Sequence, residues 1–137
     1  MLIFPDDISE KLRAHAEAEY PRECCGILLG ECTNGPKTVR KVIQTENTAS
    51  GAAHFRIDPL AVAKAEREPF GILGFYHSHP DCEAVPSKED ILYMIEGYSY
   101  LIISVLNGEC SDMRSFERIS QTSEEIKEET IMKELVK

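Results

Sequence analysis

Along the first twenty residues, apolar positions recur one helical turn apart at Ile8, Leu12 and Ala16, with charged residues between them. Asp6 or Asp7 can cap that helix, and it should stop before Pro21, because proline disfavours the helical region for its predecessor. The period then changes. Cys25-Gly-Ile-Leu-Leu-Gly30 is a short continuous apolar run, the pattern of a buried strand. Asn34-Gly35-Pro36 supplies turn chemistry before Thr38 to Thr45, a stretch rich in β-branched residues that reads as the next strand.

Glu46 to Ala53 is small and polar, hence a loop, and Phe55-Arg-Ile57 a short extended piece. Asp58-Pro59 is an N-cap followed by proline at the first helical position, which starts a helix to about Arg67. Ile72 to His79 reads as a strand, Pro80 to Pro86 as a loop, and Ser87 to Ile95 as a helix capped by Ser87. Two strands follow, Tyr100 to Leu106 and Asp112 to Ile119, joined by a turn at Asn107-Gly108. From Thr122 the chain is highly charged, and Ile126, Ile131 and Leu135 recur at roughly helical intervals, so residues 121–137 read as a charged helix or tail after a domain of residues 1–120. Helices interleaved with strands predict an α/β (α+β) fold, a mixed β-sheet flanked by helices, with no internal repeat or linker to suggest a second domain.

Composition narrows the classes of function. The 137 residues suffice for one core, and 42% hydrophobic with 28% charged residues is the balance of a folded globular chain. The longest apolar run, Tyr100 to Leu106, is too short to span a bilayer, and no basic, apolar-cored leader opens the sequence, so neither a membrane nor an export route is expected and the cytoplasm is the expected compartment. A net charge of -9 repels phosphate backbones, and no basic stripe offsets it, so nucleic acid is not an expected partner. Five cysteines form no C-x-x-C pair and no secretory framework; they are expected to be reduced and mostly buried.

The chemistry concentrates in His77-Ser-His79-Pro-Asp-Cys-Glu-Ala-Val-Pro-Ser87-Lys-Glu-Asp90. Two histidines two apart on a strand project from the same face, as two ligands of one ion require. Asp90, in the first turn of the following helix, can return a carboxylate to that pair. Two histidines and a carboxylate leave the fourth tetrahedral position of Zn²⁺ open, which is the catalytic pattern rather than the structural one. Taken singly, each residue has a plainer reading: the histidines as half-exposed polar residues, Asp90 as a carboxylate favoured by the helix dipole, Ser87 as a cap. Cys82, three residues after His79, is a further possible ligand.

His-x-His, seven residues, Ser, two residues, Asp resembles the signature of the JAMM (MPN-type) metallopeptidases without insertion or deletion. The resemblance extends to Glu23-Cys-Cys25-Gly26 and its apolar run, to Asn47, to Phe55-Arg-Ile-Asp-Pro59 and to Tyr98-Ser-Tyr-Leu-Ile-Ile-Ser-Val105, about residues 1 to 119 in all. It implies an MPN fold, of the cytidine-deaminase-like architecture, with Zn²⁺ held by His77, His79 and Asp90. It also implies that Glu23 carries a proton from the attacking water to the leaving amine, and that Ser87 stabilises the oxyanion. Both roles suit the groups concerned. Glu46 is another carboxylate within the same stretch of chain, though no motif supports it.

The absence of room for long insertions, between Ile57 and Ile72 or between Asp90 and Tyr100, resembles stand-alone prokaryotic members. Some of those act on small ubiquitin-like or sulfur-carrier proteins, cleaving after a C-terminal Gly-Gly. Two other classes compete: an inactive MPN scaffold that has lost its ligands, which all five motif residues argue against, and a zinc deaminase, which needs a Pro-Cys-x-x-Cys pair that this sequence lacks.

Overall fold

The computed structural model describes residues 1–32, 34–48 and 57–134. Among these, α1 spans Asp6–Glu19 and buries Ile8, Leu12, His15 and Ala16, the face that the spacing predicts. Its N-cap is Pro5, without a side-chain cap; Asp6 and Asp7 lie inside the first turn, where they favour the helix dipole instead of capping it. The strands β1 (Leu2–Phe4), β2 (Cys25–Cys32) and β3 (Lys37–Thr45) precede α2 (Pro59–Ala65), whose cap is the Asp58 side chain accepting from the Leu60 N–H. Then come β4 (Gly71–Pro80), α3 (Lys88–Tyr93), β5 (Ser99–Leu106) and β6 (Glu109–Arg118). Phe55 and Arg56 lie outside the described residues, while Ile57 makes an isolated bridge to Asn47.

Residues 126–133 depart from the helical reading of the tail. They form two strands, β7 (Ile126–Glu129) and β8 (Ile131–Lys133). The eight strands run in the order β7-β6-β5-β4-β2-β3-β1-β8. Since only Thr130 separates β7 from β8, the two ends of that order lie side by side and the sheet is curled back on itself. β7 pairs antiparallel with β6, and β8 pairs parallel with β1, Leu2 opposite Ile131. Ile126 and Ile131 are five residues apart, about 140° round a helix and on opposite faces of an extended chain, so the spacing specifies neither element by itself. Pairing with distant partners decides between them.

The sheet is mixed and helices cover both faces. One face meets α1 through Leu28, Tyr76, Leu101 and Ile103; on the other, Ile27 and Leu29 pack against α2, and Ile102 and Phe116 against the Ala84–Met94 segment that contains α3. Full burial of a leucine or isoleucine side chain contributes about 1.5–3 kcal/mol. β4 is the strand on which the architecture turns: it pairs antiparallel with β2 and parallel with β5. Gly74 allows the second pairing to be close, because a Cβ there would lie 1.8 Å from the Ser99 carbonyl oxygen. No helix among the described residues is long and apolar enough to cross a membrane.

Candidate metal centre

Strand alternation on β4 sends His77 and His79 to the same face, the one shared with α2 and α3. The antiparallel register sets Cys25 opposite His77, so Glu23, two residues upstream, arrives beside the histidines. Two bonds hold that approach: the Cys24 N–H donates to Ser78 Oγ (2.8 Å), and the Ser78 N–H donates to the Cys24 carbonyl (3.1 Å). Asn47 adds a third, its side-chain amide donating to the Glu23 carbonyl (2.9 Å). Ser78 was invisible as a functional residue in the sequence, since its only mark is to sit between two histidines.

Asp90 comes from α3. Ser87 and Asp90 form a reciprocal capping box: Asp90 N–H donates to Ser87 Oγ (3.0 Å) and Ser87 N–H donates to Asp90 Oδ2 (2.9 Å). The same Oδ2 lies 3.3 Å from His77 Nε2 and 3.1 Å from His79 Nε2, and the two Nε2 atoms are 3.0 Å apart. Four ligands about 2.0–2.1 Å from a zinc ion stand about 3.3–3.4 Å from one another in a tetrahedron. The three donors therefore already have nearly the mutual spacing of one tetrahedral face. His79 Nδ1 bonds the Glu83 carbonyl at 2.9 Å, which requires the proton on Nδ1 and leaves Nε2 as the electron-pair donor.

Glu23 completes the group. One ligand atom each from Glu23, His77 and His79 all lie within 4.8 Å of one another. Glu23 is only 5% exposed, and its buried Oε2 has no hydrogen-bond partner among the described residues. An orphaned carboxylate oxygen beside three converging donors fits a cation with a polarised water. Burial pushes the Glu23 carboxyl up to about 7, against the opposing pull of His79. Burial also acts to raise Asp90, but the hydrogen bonds to His77 and His79 hold it well below the usual carboxylate range. His77 is lowered by burial, which the Asp90 contact only partly offsets. The two carboxylates are thus driven apart, one towards a proton carrier near neutrality and one towards a permanent anion, the division of labour that acid–base hydrolysis requires.

Glu23, His77, His79, Ser87 and Asp90 all line one groove of about 1060 Å³. Its floor continues the sheet through Phe75, Tyr100 and Ile102, and Tyr93 and Ile95 stand exposed beside it. Ser87 Oγ accepts from the Asp90 amide, so its own proton remains to be donated towards the groove. Cys82 is exposed on the wall of the groove but is not part of the Glu23–His77–His79 donor group. Glu46 lines a separate polar pocket of about 150 Å³ that shares Glu23. No disulfide joins the five cysteines, all of them among the described residues, but only Cys24 and Cys25 are buried, fewer than expected; burial raises the Cys24 thiol to about 12.

Residues 5–119 match the family described as prokaryotic homologs of the JAB domain. The chain belongs to this family. Among relatives of the prokaryotic JAB-domain protein, one from Thermus thermophilus, named "Probable TtuB-protein conjugate cleaving protease", is 38% identical over 96 residues, which are 66% of this chain and 62% of that one. A protein from Haloferax volcanii named "Desampylase" is 33% identical over 105 residues, covering 72% and 74% of the two chains. This chain thus spans less than two thirds of the first relative. The solution structure of protein DSY2949 from Desulfitobacterium hafniense superposes with a TM-score of 0.83 at 31% identity, covering 98% of this chain and 93% of that one. The JAB-domain assignment agrees with the mixed sheet flanked by helices.

Proposed function

We propose that this JAB-domain chain is a zinc-dependent peptidase or isopeptidase that releases a small ubiquitin-like or sulfur-carrier protein by cleaving after its C-terminal Gly-Gly. The observation that carries the reading is the buried Glu23 carboxylate, its Oε2 without a hydrogen-bond partner among the described residues, beside the His77, His79 and Asp90 donors. His77, His79 and Asp90 would hold the ion; when bound, zinc supplies a Lewis acid that lowers the pKa of water and polarises an amide carbonyl.

The protein's own residues do the rest. Glu23, raised to about 7, takes a proton at its carboxylate oxygen from the attacking water and returns it to the departing amine, so that the poor leaving group departs neutral. Ser87 keeps its proton and donates a hydrogen bond through it to the oxygen that becomes negative as the carbon turns tetrahedral. Asp90, with Ser87 N–H bonded to it, keeps its charge and its orientation throughout. The retained His77, His79, Asp90, Ser87 and Glu23 support an active enzyme over an inactive scaffold.

The substrate class is supported by the Thermus and Haloferax relatives, whose names speak of cleaving protein conjugates and of desampylation. A groove with α3 on one side and Thr48 and Ile57 among its other lining residues suits an extended tail, and glycines let its backbone approach closely. Incubating the zinc-loaded protein with carrier proteins extended beyond Gly-Gly, read by intact mass spectrometry, should give a product ending in Gly-Gly. Extended carriers that stay intact with one zinc bound per chain would rule this substrate out.

A further inference from the structure

We infer that Arg118 is a positioning residue for the metal centre: by clamping the C-terminal end of α3, it fixes where Asp90 stands. The inference rests on the reading of Asp90 as a ligand, and adds a residue from a distant strand that carries no signature of its own.

α3 has only six residues, Lys88–Tyr93, and none of them is buried. So short a helix does not hold itself together, because nucleation costs more than one turn of hydrogen bonds returns. Half-buried Ile91 packs against the Ile102 and Phe116 cluster, and the rest of the helix's placement must come from its ends. The N-terminal end has the Ser87–Asp90 capping box. The C-terminal end has no glycine, no left-handed residue and no basic side chain in its last turn; Met94, at the C-cap, is extended. The Met94 N–H donates to the Ile91 carbonyl (3.1 Å), and beyond that one bond the last carbonyls need donors from elsewhere.

Arg118, the last residue of β6 and 8% exposed, supplies them. Its Nη1 donates to the carbonyls of Ile91 (2.9 Å) and Met94 (3.2 Å), while Nε donates to those of Ser120 (3.1 Å) and Ser123 (2.9 Å). One guanidinium therefore ties three segments: the end of β6, the turn that follows it, and α3. Gln121 adds a bond to the same Met94 carbonyl (3.1 Å). Ile91 is the residue next to Asp90. The carboxylate is thus held from both sides, by Ser87 through its own oxygen and by Arg118 through the carbonyl of the residue that follows Asp90. A planar fork with fixed N–H directions is suited to this; the single ammonium of lysine cannot reach all four acceptors.

Arg118→Lys and Arg118→Met test this, with zinc affinity measured by competition against a chromogenic chelator. Circular dichroism of the same samples gives the folded fraction, so that affinity refers to folded protein. Arg118→Met should bind zinc about tenfold to a hundredfold more weakly than wild type, the range seen when a ligand loses its supporting partner, with Arg118→Lys between them. If Arg118 acts through Asp90, the loss should nearly vanish in an Asp90→Asn background. The visible spectrum of the cobalt-substituted Arg118 variants should also change, a signal that loss of stability alone leaves unmoved. Unaltered affinity and spectrum in either folded Arg118 variant, or a loss that persists in full beside Asp90→Asn, would overturn the inference and leave Asp90 a ligand. Unaltered affinity in Asp90→Asn alone would overturn the ligand reading itself, and the positioning role with it. Should Arg118→Met fail to fold, Arg118→Lys carries the same comparisons.

Discussion

Replacing Glu23 with glutamine separates two consequences of burying this carboxylate. Glutamine has the same shape but no charge to bury and no proton to accept. In the metal-free protein the Glu23 carboxyl is raised from 4.5 to about 7, chiefly by burial. A gap of that size is worth about 3 kcal/mol, at about 1.4 kcal/mol for each pH unit. The sign follows from proton binding: between pH 4.5 and 7 the folded chain holds a proton that the unfolded chain has lost, so stability falls as pH rises. Relative to Glu23→Gln, wild type should be at its best below pH 4.5 and should lose about 3 kcal/mol by pH 8. Urea unfolding of both chelator-treated proteins at pH 4.5, 6 and 8 measures the difference and cancels the groups they share. Added zinc favours the ionised carboxylate and should narrow the gap at pH 8. Turnover by the zinc-loaded variant should meanwhile fall about 10²–10⁴-fold. A wild-type-minus-variant difference that stays flat from pH 4.5 to 8 would refute the argument that burial has destabilised the anion.

Ser87→Ala should lose about 1 kcal/mol of stability through the broken cap, and about 10²–10³-fold in kcat with KM little changed if the hydroxyl serves the oxyanion; thermal melts and steady-state kinetics read the two separately. Gly74→Ala should destabilise by about 3 kcal/mol or more, since its Cβ would meet backbone 1.8 Å away and β4 would have to part from β5; equilibrium unfolding checks it. On the substrate side, changing the carrier's terminal Gly-Gly to Val-Val should slow cleavage steeply. Equal rates on both tails, by mass spectrometry, would point to a general peptidase.

Elements with local signals were legible in the sequence. The apolar period of α1, the Asp58-Pro59 start of α2, the Ser87 cap and the alternating histidines all express themselves within a few residues. Elements defined by distant partners were not. β1 is three residues long and exists because Leu2 and Ile3 meet β3 and β8. β7 buries Glu129, which accepts from Ser115 Oγ at 2.8 Å, so a strand that looks like charged tail acquires an interior position only through its neighbour. The site divides in the same way. The spacing of His77, His79, Ser87 and Asp90 is a property of one local segment, whereas the arrival of Glu23 depends on the pairing of β2 with β4. Arg118 carries no motif at all, since its acceptors are backbone carbonyls that any sequence would present.

The pairing of Leu2 with Ile131 has a kinetic consequence. A sheet whose first and last strands are neighbours cannot be completed until nearly all of the described chain is available. The contacts that complete it span the greatest separation in sequence, and closing so long a loop costs entropy before any pairing repays it. During synthesis, the central strands that carry the histidines can assemble early, while β1 waits for β8 to emerge. Until then its outer edge stays open to other chains. Any disturbance of residues 126–133 should therefore show first as slower completion of folding and more aggregation during it, well before it shows at the metal centre.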